Sequence, residues 1–272
     1  MYRGRFAPSP TGPLHFGSLV TAVGSYLDAR NNGGEWLVRI EDVDTPRNVT
    51  GAADQILHTL ELYGFQWNGP VLYQSSRFEA YEAALETLRQ QGLLFPCGCS
   101  RKDVVAVHAG TCRHGLAQEM EARSWRLLVD DVPVEFVDQS DGHLHQEVLT
   151  ETVGDFVLKR VEGVYAYQLA VVVDDAFQGV TDVVRGSDLL ASTCRQIYLQ
   201  RALGLPTPKY KHLPVVFDEH GEKLSKQTRA QPIPTEKQDA ANTLMKAFAF
   251  LGHRHVENMP TVGDAWRWIL NA

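Results

Sequence analysis

An α/β fold with a parallel sheet, interrupted by an inserted cysteine-bearing segment and finished by a short helical part, is what this 272-residue sequence predicts. Three observations predict it. Strand-like and helix-like runs alternate from the first residues, the pattern of βαβ units. Between residues 96 and about 155 that alternation breaks into short polar segments that hold three of the four cysteines. After Lys226 two helical patterns follow, with no strand between them.

Residues 3–7 read as a short strand and 8–13 as a Pro/Ser/Gly loop. Residues 14–29 read as a helix, with Leu19, Val23, Tyr26 and Leu27 at helical spacing. A second strand is predicted over 36–40, a helix over 51–63 closing at Gly64, and another over 77–91 closing at Gly92. Beyond the insertion, the continuous apolar run 165–173 reads as a buried strand. Residues 188–203 read as a helix stopped by Gly204 and Pro206, and 212–217 as a strand leading through a turn into the KLSK of residues 223–226. The terminal helices are expected over 239–251 and 262–270.

With 44% hydrophobic residues the chain can bury a substantial core. The sequence opens without an apolar leader, and no stretch approaches the roughly 18 apolar residues of a membrane span. A cytoplasmic protein without membrane attachment is therefore expected. Four cysteines in such a chain point to metal binding, catalysis or simple burial rather than a disulfide scaffold. The net charge of −7 lacks the general basic footprint of a nucleic-acid binder. Arg195, Arg201, Lys209, Lys211, Lys223, Lys226 and Arg229 do gather along one stretch, which is either a basic strip or a solvated surface.

A loop leaving a first strand and opening a helix presents free backbone N–H groups and the positive end of a helix dipole to a phosphate. His15 and Gly17 of HFGS fall there, with Pro8 and Pro10 stiffening the approach. The imidazole can donate to a phosphate as charge builds, and the glycine lets a nucleotide lie on the backbone. A histidine in this place is equally a helix cap. Lys223 and Lys226 follow a strand in a glycine-containing loop and can reach polyphosphate as mobile point charges, or stand in a solvated turn. GEKLSK is not a Walker A loop, and no GxGxxG occurs.

HFGS and KLSK together resemble the HIGH and KMSKS signatures of class I aminoacyl-tRNA synthetases. RFAPSPTGPLHFGSL over 5–19 is similar to the opening of glutamyl-tRNA synthetases, as are VRIEDVD at 38–44, AYQLAVVVDD at 166–175 and GVTDVVRGSDLL at 179–190. The resemblance implies a Rossmann-like catalytic domain over 1–95 and 155–205, an inserted subdomain over 96–154, and a KLSK loop with a short helical region over 206–272. It implies that the glutamate carboxylate attacks the α-phosphate of ATP, so that positioning and charge do the catalysis. His15, Lys223 and Lys226 would be the catalytic residues. Pro8, Gly17 and Ser18 would join them in holding ATP, with Mg2+ bridging its phosphates. Arg5 and Arg185 would grip the side-chain carboxylate of L-glutamate, Tyr167 would add a hydroxyl, Glu41 would hold the ammonium, and Ala7 and Ser9 would line the loop. A core tyrosine, surface arginines and a structural ion pair at Glu41 are the alternatives.

Cys97, Cys99 and Cys112 lie inside the insertion and Cys194 far along the chain. A tetrahedral zinc needs a fourth ligand, and His108 and His114 are both near in sequence. Related short enzymes carry a Tyr four residues before the last Cys, and His108 stands in that position, so one structural Zn2+ at Cys97, Cys99, His108 and Cys112 is expected. The sequence ends soon after KLSK, where a full glutamyl-tRNA synthetase continues into an anticodon-binding region. In this it resembles the glutamyl-queuosine tRNA(Asp) synthetase family, which activates glutamate without tRNA and esterifies it to the queuosine base in the anticodon of tRNA(Asp). The resemblance implies ATP, glutamate and queuosine-containing tRNA(Asp) as partners of a monomer, with the stretch from Arg195 to Lys211 meeting the RNA. Charging of tRNA(Glu), a glutaminyl activity and an inactive RNA-binding module are the competing expectations.

Overall fold

In the computed structural model, residues 1–272 are described except 101, 104–106, 109, 119, 218–220, 222–223, 225–230, 254–258 and 272, with Lys237 described by its backbone. The elements in chain order are β1 (Arg3–Phe6), α1 (Phe16–Asn31), β2 (Glu35–Ile40), α2 (Ala52–Leu62), β3 (Leu72–Tyr73), α3 (Phe78–Gln90), β4 (Leu94–Cys97) and β5 (Ser124–Leu127). There follow β6 (Val134–Val137), β7 (Leu144–Glu147), α4 (Leu149–Thr152), β8 (Phe156–Arg160), α5 (Tyr167–Phe177) and β9 (Asp182–Gly186). The last are α6 (Thr193–Leu203), β10 (Lys209–Leu213), α7 (Lys237–Phe250) and α8 (Val262–Leu270). The chain forms two units, one of Met1–Tyr73, Val180–Leu190 and Tyr210–Ala272, the other of Gln74–Gly179 and Ala191–Lys209.

The first unit holds the parallel sheet. β1 pairs with β2 and β2 with β3, both parallel, with Arg5 opposite Leu37 and Ile40 opposite Tyr73. On the other side of β1, the Thr181 N–H just before β9 donates to the Arg3 carbonyl at 2.9 Å, and β9 is hydrogen-bonded to β10. α1 crosses this sheet because its apolar spacing puts Leu19, Val23, Tyr26 and Leu27 inside, all of them buried. At Gly24 a Cβ would collide with Leu213 of β10, so the close approach of α1 needs a residue without one. Tyr26 meets the rings of Trp36, Phe65 and Trp266 at centroid distances of 5.1, 5.3 and 4.8 Å, which packs α8 into the same core.

The second unit carries an antiparallel sheet in the order β4-β5-β8, and a separate hairpin of β6 and β7. α3, α5 and α6 pack together beside it. Asp174 of α5 is fully buried, and its carboxylate accepts from Gln74 Nε2 at 3.1 Å, Arg77 Nε at 3.1 Å and Tyr81 OH at 2.6 Å. Cys194 of α6 donates its thiol to the Val134 carbonyl at 3.6 Å.

The parallel sheet, the cysteine-bearing insertion and the helical end match the predicted class. α8 occupies the predicted 262–270, and α1, β2, α2, α3 and α7 fall within two residues of expectation at each end. The run 165–173 is different: it lies largely in helix α5, where a strand was expected. A short unbroken apolar run reads alike in a helix and in a strand, and here the helix turns Asp174 inward to its hydrogen-bond partners. The helix expected over 188–203 starts at Thr193, after a 3-10 turn over Ser187–Ser192. The strand expected over 212–217 is β10, earlier in the chain. The polar insertion conceals three strands and a short helix, each too brief for its pattern to stand out.

Candidate functional site

β1 ends at Phe6 and α1 begins at Phe16, so residues 7–15 form the connecting loop at the carboxyl edge of the parallel strands, the edge at which open α/β sheets bind ligands. The Glu41 N–H, just past β2, donates to the Pro8 carbonyl at 3.0 Å, and the Val49 N–H donates to Pro10 at 2.9 Å, which anchors this loop. Ala7 is half-buried, Pro8 buried and Ser9 exposed.

His15 caps α1. Its backbone is extended, the Ser18 N–H donates to its Nδ1 at 3.3 Å, and its own N–H donates to Ser18 Oγ at 2.8 Å. This reciprocal box satisfies two of the helix's orphan donors. An Nδ1 that accepts cannot hold the ring proton, so the neutral ring carries it on Nε2. Ser18 spends its hydroxyl on the cap, donating to the His15 carbonyl at 2.7 Å. A Cβ on Gly17 would lie 3.2 Å from the His15 ring and 3.5 Å from the Leu224 carbonyl. Leu224, the second residue of KLSK, is itself held by its N–H to the Val216 carbonyl at 2.9 Å. The chain then returns past the cap, with Pro232 bridging His15 and the Ile233 N–H donating to Leu14 at 3.0 Å. Lys223, Lys226 and Arg229 lie outside the described residues.

Arg5 on β1 and Arg185 on β9 are both buried, an unusual place for guanidinium groups. Arg185 donates through Nε to His212 Nε2 at 3.2 Å and through Nη2 to the Leu189 carbonyl at 3.4 Å, and it lies 5.1 Å above the Tyr210 ring. His212 was not singled out from the sequence, since a histidine on a short strand gives no signal of its own. Glu41 accepts from the buried Arg39 at 3.3 Å, the ion pair weighed as an alternative for it. Within the first unit, then, the structure gathers His15, Gly17, Ser18 and Leu224 at the head of α1, and ties Glu41 to Pro8 in the loop before it. Tyr167, the first residue of α5, belongs to the second unit. Of the basic stretch, Lys211 is paired with Asp28 at 2.6 Å and Arg195 bonds the Ala191 carbonyl at 3.1 Å, while Arg201 and Lys209 are exposed.

In the second unit Cys97 closes β4, and Cys97, Cys99 and His108 bring their ligand atoms within 4.8 Å of one another. Cys97 Sγ lies 3.3 Å from His108 Nε2. Cys112, the fourth expected ligand, is not one of these three, although its Sγ lies 3.7 Å from Cys99 Sγ, close to the roughly 3.8 Å that tetrahedral bonds of about 2.3 Å would set between two thiolates on one ion. Burial, and then the Arg126 charge, hold the His108 pKa below its usual value against the pull of Asp155, so the ring is a neutral donor. Burial opposes the Cys112 thiolate, but hydrogen bonds from Gly98 and the neighbouring thiols outweigh it and lower its pKa. Burial foremost raises that of Cys99. His114 is exposed and does not join the cluster. Burial, and then Glu147, push the Cys194 thiol up to about 12, the mark of a packed, unreactive group.

A phosphate-ready helix N-terminus on the first crossover of a parallel sheet, with Leu224 of the second signature against it, is the arrangement of a class I synthetase catalytic core. The family model described as tRNA synthetases class I (E and Q), catalytic domain, matches residues 1–122 and 109–258. A glutamyl-Q tRNA(Asp) synthetase of Dechloromonas aromatica (strain RCB) is 59% identical over 280 residues, covering 98% of this chain and 92% of its own. One of Chromobacterium violaceum is 53% identical over 277 residues, with the same coverage. The chain belongs to the class I tRNA synthetases for E and Q and, among them, to the glutamyl-Q tRNA(Asp) synthetase family of ligases. A glutamate tRNA ligase from Elizabethkingia meningosepticum, solved in complex with its amino acid, superposes with a TM-score of 0.80 at 25% identity. It covers 97% of this chain, which spans 64% of that longer one. A methionyl-tRNA synthetase of Mycobacterium tuberculosis shares the fold alone, with a TM-score of 0.60 at 10% identity. Among the described residues no helix is long and apolar enough to cross a membrane.

Proposed function

We propose that this chain activates L-glutamate with ATP in the absence of tRNA, then transfers the glutamyl group to the queuosine base in the anticodon of tRNA(Asp). The observation that supports the ATP half is the Leu224 carbonyl against Gly17, which brings the one described residue of KLSK to the head of α1. The glutamate half is supported by the two buried arginines and by the amino-acid complex of the related ligase. The acceptor rests on the printed names of relatives that this chain matches over 92% of their length.

In this reading the glutamate α-carboxylate attacks the α-phosphorus and pyrophosphate leaves. A hydroxyl of queuosine then attacks the acyl carbonyl and AMP leaves. Nε2–H of His15 and the ammonium groups of Lys223 and Lys226 would serve the phosphates, where negative charge builds. Pro8 and Ser18 shape the loop, and Gly17 admits the adenine. Arg5 and Arg185 take the side-chain carboxylate, Glu41 the ammonium, and Ala7 and Ser9 line the loop. His212 steadies Arg185. Mg2+ would neutralise phosphate charge when bound with ATP. We infer also one structural Zn2+ per chain at Cys97, Cys99, His108 and Cys112, a closed set of soft ligands that leaves no open position for chemistry.

The test is tRNA-free ATP–pyrophosphate exchange followed by acceptor assay. Glutamate should drive exchange, glutamine much less, and labelled glutamate should pass to queuosine-containing tRNA(Asp). Absence of exchange in folded protein would identify an inactive module, and transfer to tRNA(Glu) alone would identify a minimal glutamyl-tRNA synthetase. Elemental analysis should find close to one zinc per chain, and a content far below that removes the metal site.

A further inference from the structure

The Asp155 carboxylate is fully buried, stands just before β8, and has no part in the substrate reading. A buried carboxylate costs several kcal/mol unless its oxygens are matched by donors. Here Arg113 approaches it in bidentate fashion, Nε to Oδ2 and Nη2 to Oδ1, both at 2.7 Å, and the Val129 N–H donates to Oδ1 at 3.0 Å. The third partner is Nδ1 of His108, at 3.3 Å from Oδ2.

The backbone arranges this meeting. The His108 N–H donates to the Val153 carbonyl at 3.3 Å, and His108 forms a bridge with Gly154. Gly154 has φ +67°, and a Cβ there would stand 2.6 Å from the His108 nitrogen, so only glycine lets the two strands of chain lie so close. Asp155, the next residue, then faces the imidazole. Arg113 adjoins Cys112, so one carboxylate tethers the segments that carry two of the four candidate ligands.

We propose that Gly154 and Asp155 form the anchor of the metal site, with Asp155 positioning His108 so that Nε2 faces the thiols. The inference rests on the metal reading above. The Gly110 N–H also lies 3.3 Å from Nδ1, which would suit the opposite tautomer. The carboxylate prevails, because a charge-assisted hydrogen bond is about twice as strong as a neutral one. With Nδ1–H committed to Asp155, the lone pair sits on Nε2, 3.3 Å from Cys97 Sγ. Asp155 is thus a positioning residue and not a ligand.

Zinc affinity, read by competition with a chromophoric chelator, tests this on Asp155→Asn in the native background and again in His108→Cys. The loss expected in the native background is about 10–100-fold. In His108→Cys, where there is no ring to orient, affinity should change by less than about threefold. Equal losses in both backgrounds would mean that Asp155 only holds the fold, and no loss in the native background would refute the role outright. Nitrogen-15 spectra of the histidines in zinc-loaded wild-type protein give a reading free of any variant: Nδ1 protonated and Nε2 bound is expected, and the reverse overturns the proposal. Wild-type protein without stoichiometric zinc fails the metal reading itself, a result that the chelator titration separates from the others.

Discussion

His15 shows how one side chain can serve structure and chemistry through its two ring nitrogens. Nδ1 closes the cap of α1, which puts the ring proton of the neutral imidazole on Nε2. The two roles can be separated by substitution. His15→Ala should lose about 1 kcal/mol with the cap, measured by denaturant unfolding, and should also abolish ATP–pyrophosphate exchange. Asparagine is a good cap but offers no imidazole, so His15→Asn should recover most of the stability and little of the exchange. Recovery of exchange in that variant would leave His15 as a cap alone. Cys194 makes a plainer prediction. Its thiol titrates near 9.0 in ordinary surroundings and about 12 here. Above pH 9 the unfolded chain gives up this proton first and the native state keeps it, so stability should fall with rising pH by up to about 1.4 kcal/mol per unit for this one group. Cys194→Ala should flatten that slope between pH 9 and 12 in calorimetry.

Among the elements, α5 is the instructive one. Its apolar run reads as a strand because Leu169–Val173 holds five apolar residues in succession, with no polar residue to mark the period by which helices and strands differ. The acidic pair Asp174 and Asp175 at its end was the available signal, since two adjacent buried carboxylates sit poorly in a sheet interior. In the helix Asp174 meets Gln74, Arg77 and Tyr81, holding α5 to the start of α3. Asp174→Ala would strand those donors, and a loss of about 3–5 kcal/mol is expected in urea unfolding. A loss under 1 kcal/mol would show that water replaces the carboxylate. The helix α8 was legible because it is apolar on one face and polar on the other. The short strands of the insertion were not, because four residues cannot display a period.

At the scale of the whole molecule, the chain passes between its two units after residues 73, 179, 190 and 209. The second unit contains the segment that follows Cys97 and precedes β5, whose described residues lie in no helix or strand. On the metal reading, zinc supplies much of the folding energy there. Chelation should therefore open residues 97–123 to protease within minutes, while fragments from 1–73 survive, as mass spectrometry of limited digests would record. Equal resistance with and without chelator would show that packing suffices.

Some of this protein could be read without coordinates. HFGS, KLSK, the cysteine spacing and the α/β alternation are local patterns, and local patterns follow from neighbouring residues, which is why the class of fold and the candidate residues were within reach. The rest depends on residues far apart in the chain. Asp155 lies 47 positions from His108, and Thr181 is 178 from its partner Arg3. No spacing announces such pairs, because a buried charge or ring takes whatever partner the packed core delivers to it. The helical state of α5, the choice of His108 over His114 and the carboxylate behind that histidine were decided by tertiary packing, where desolvation makes an unmatched polar group too costly to leave.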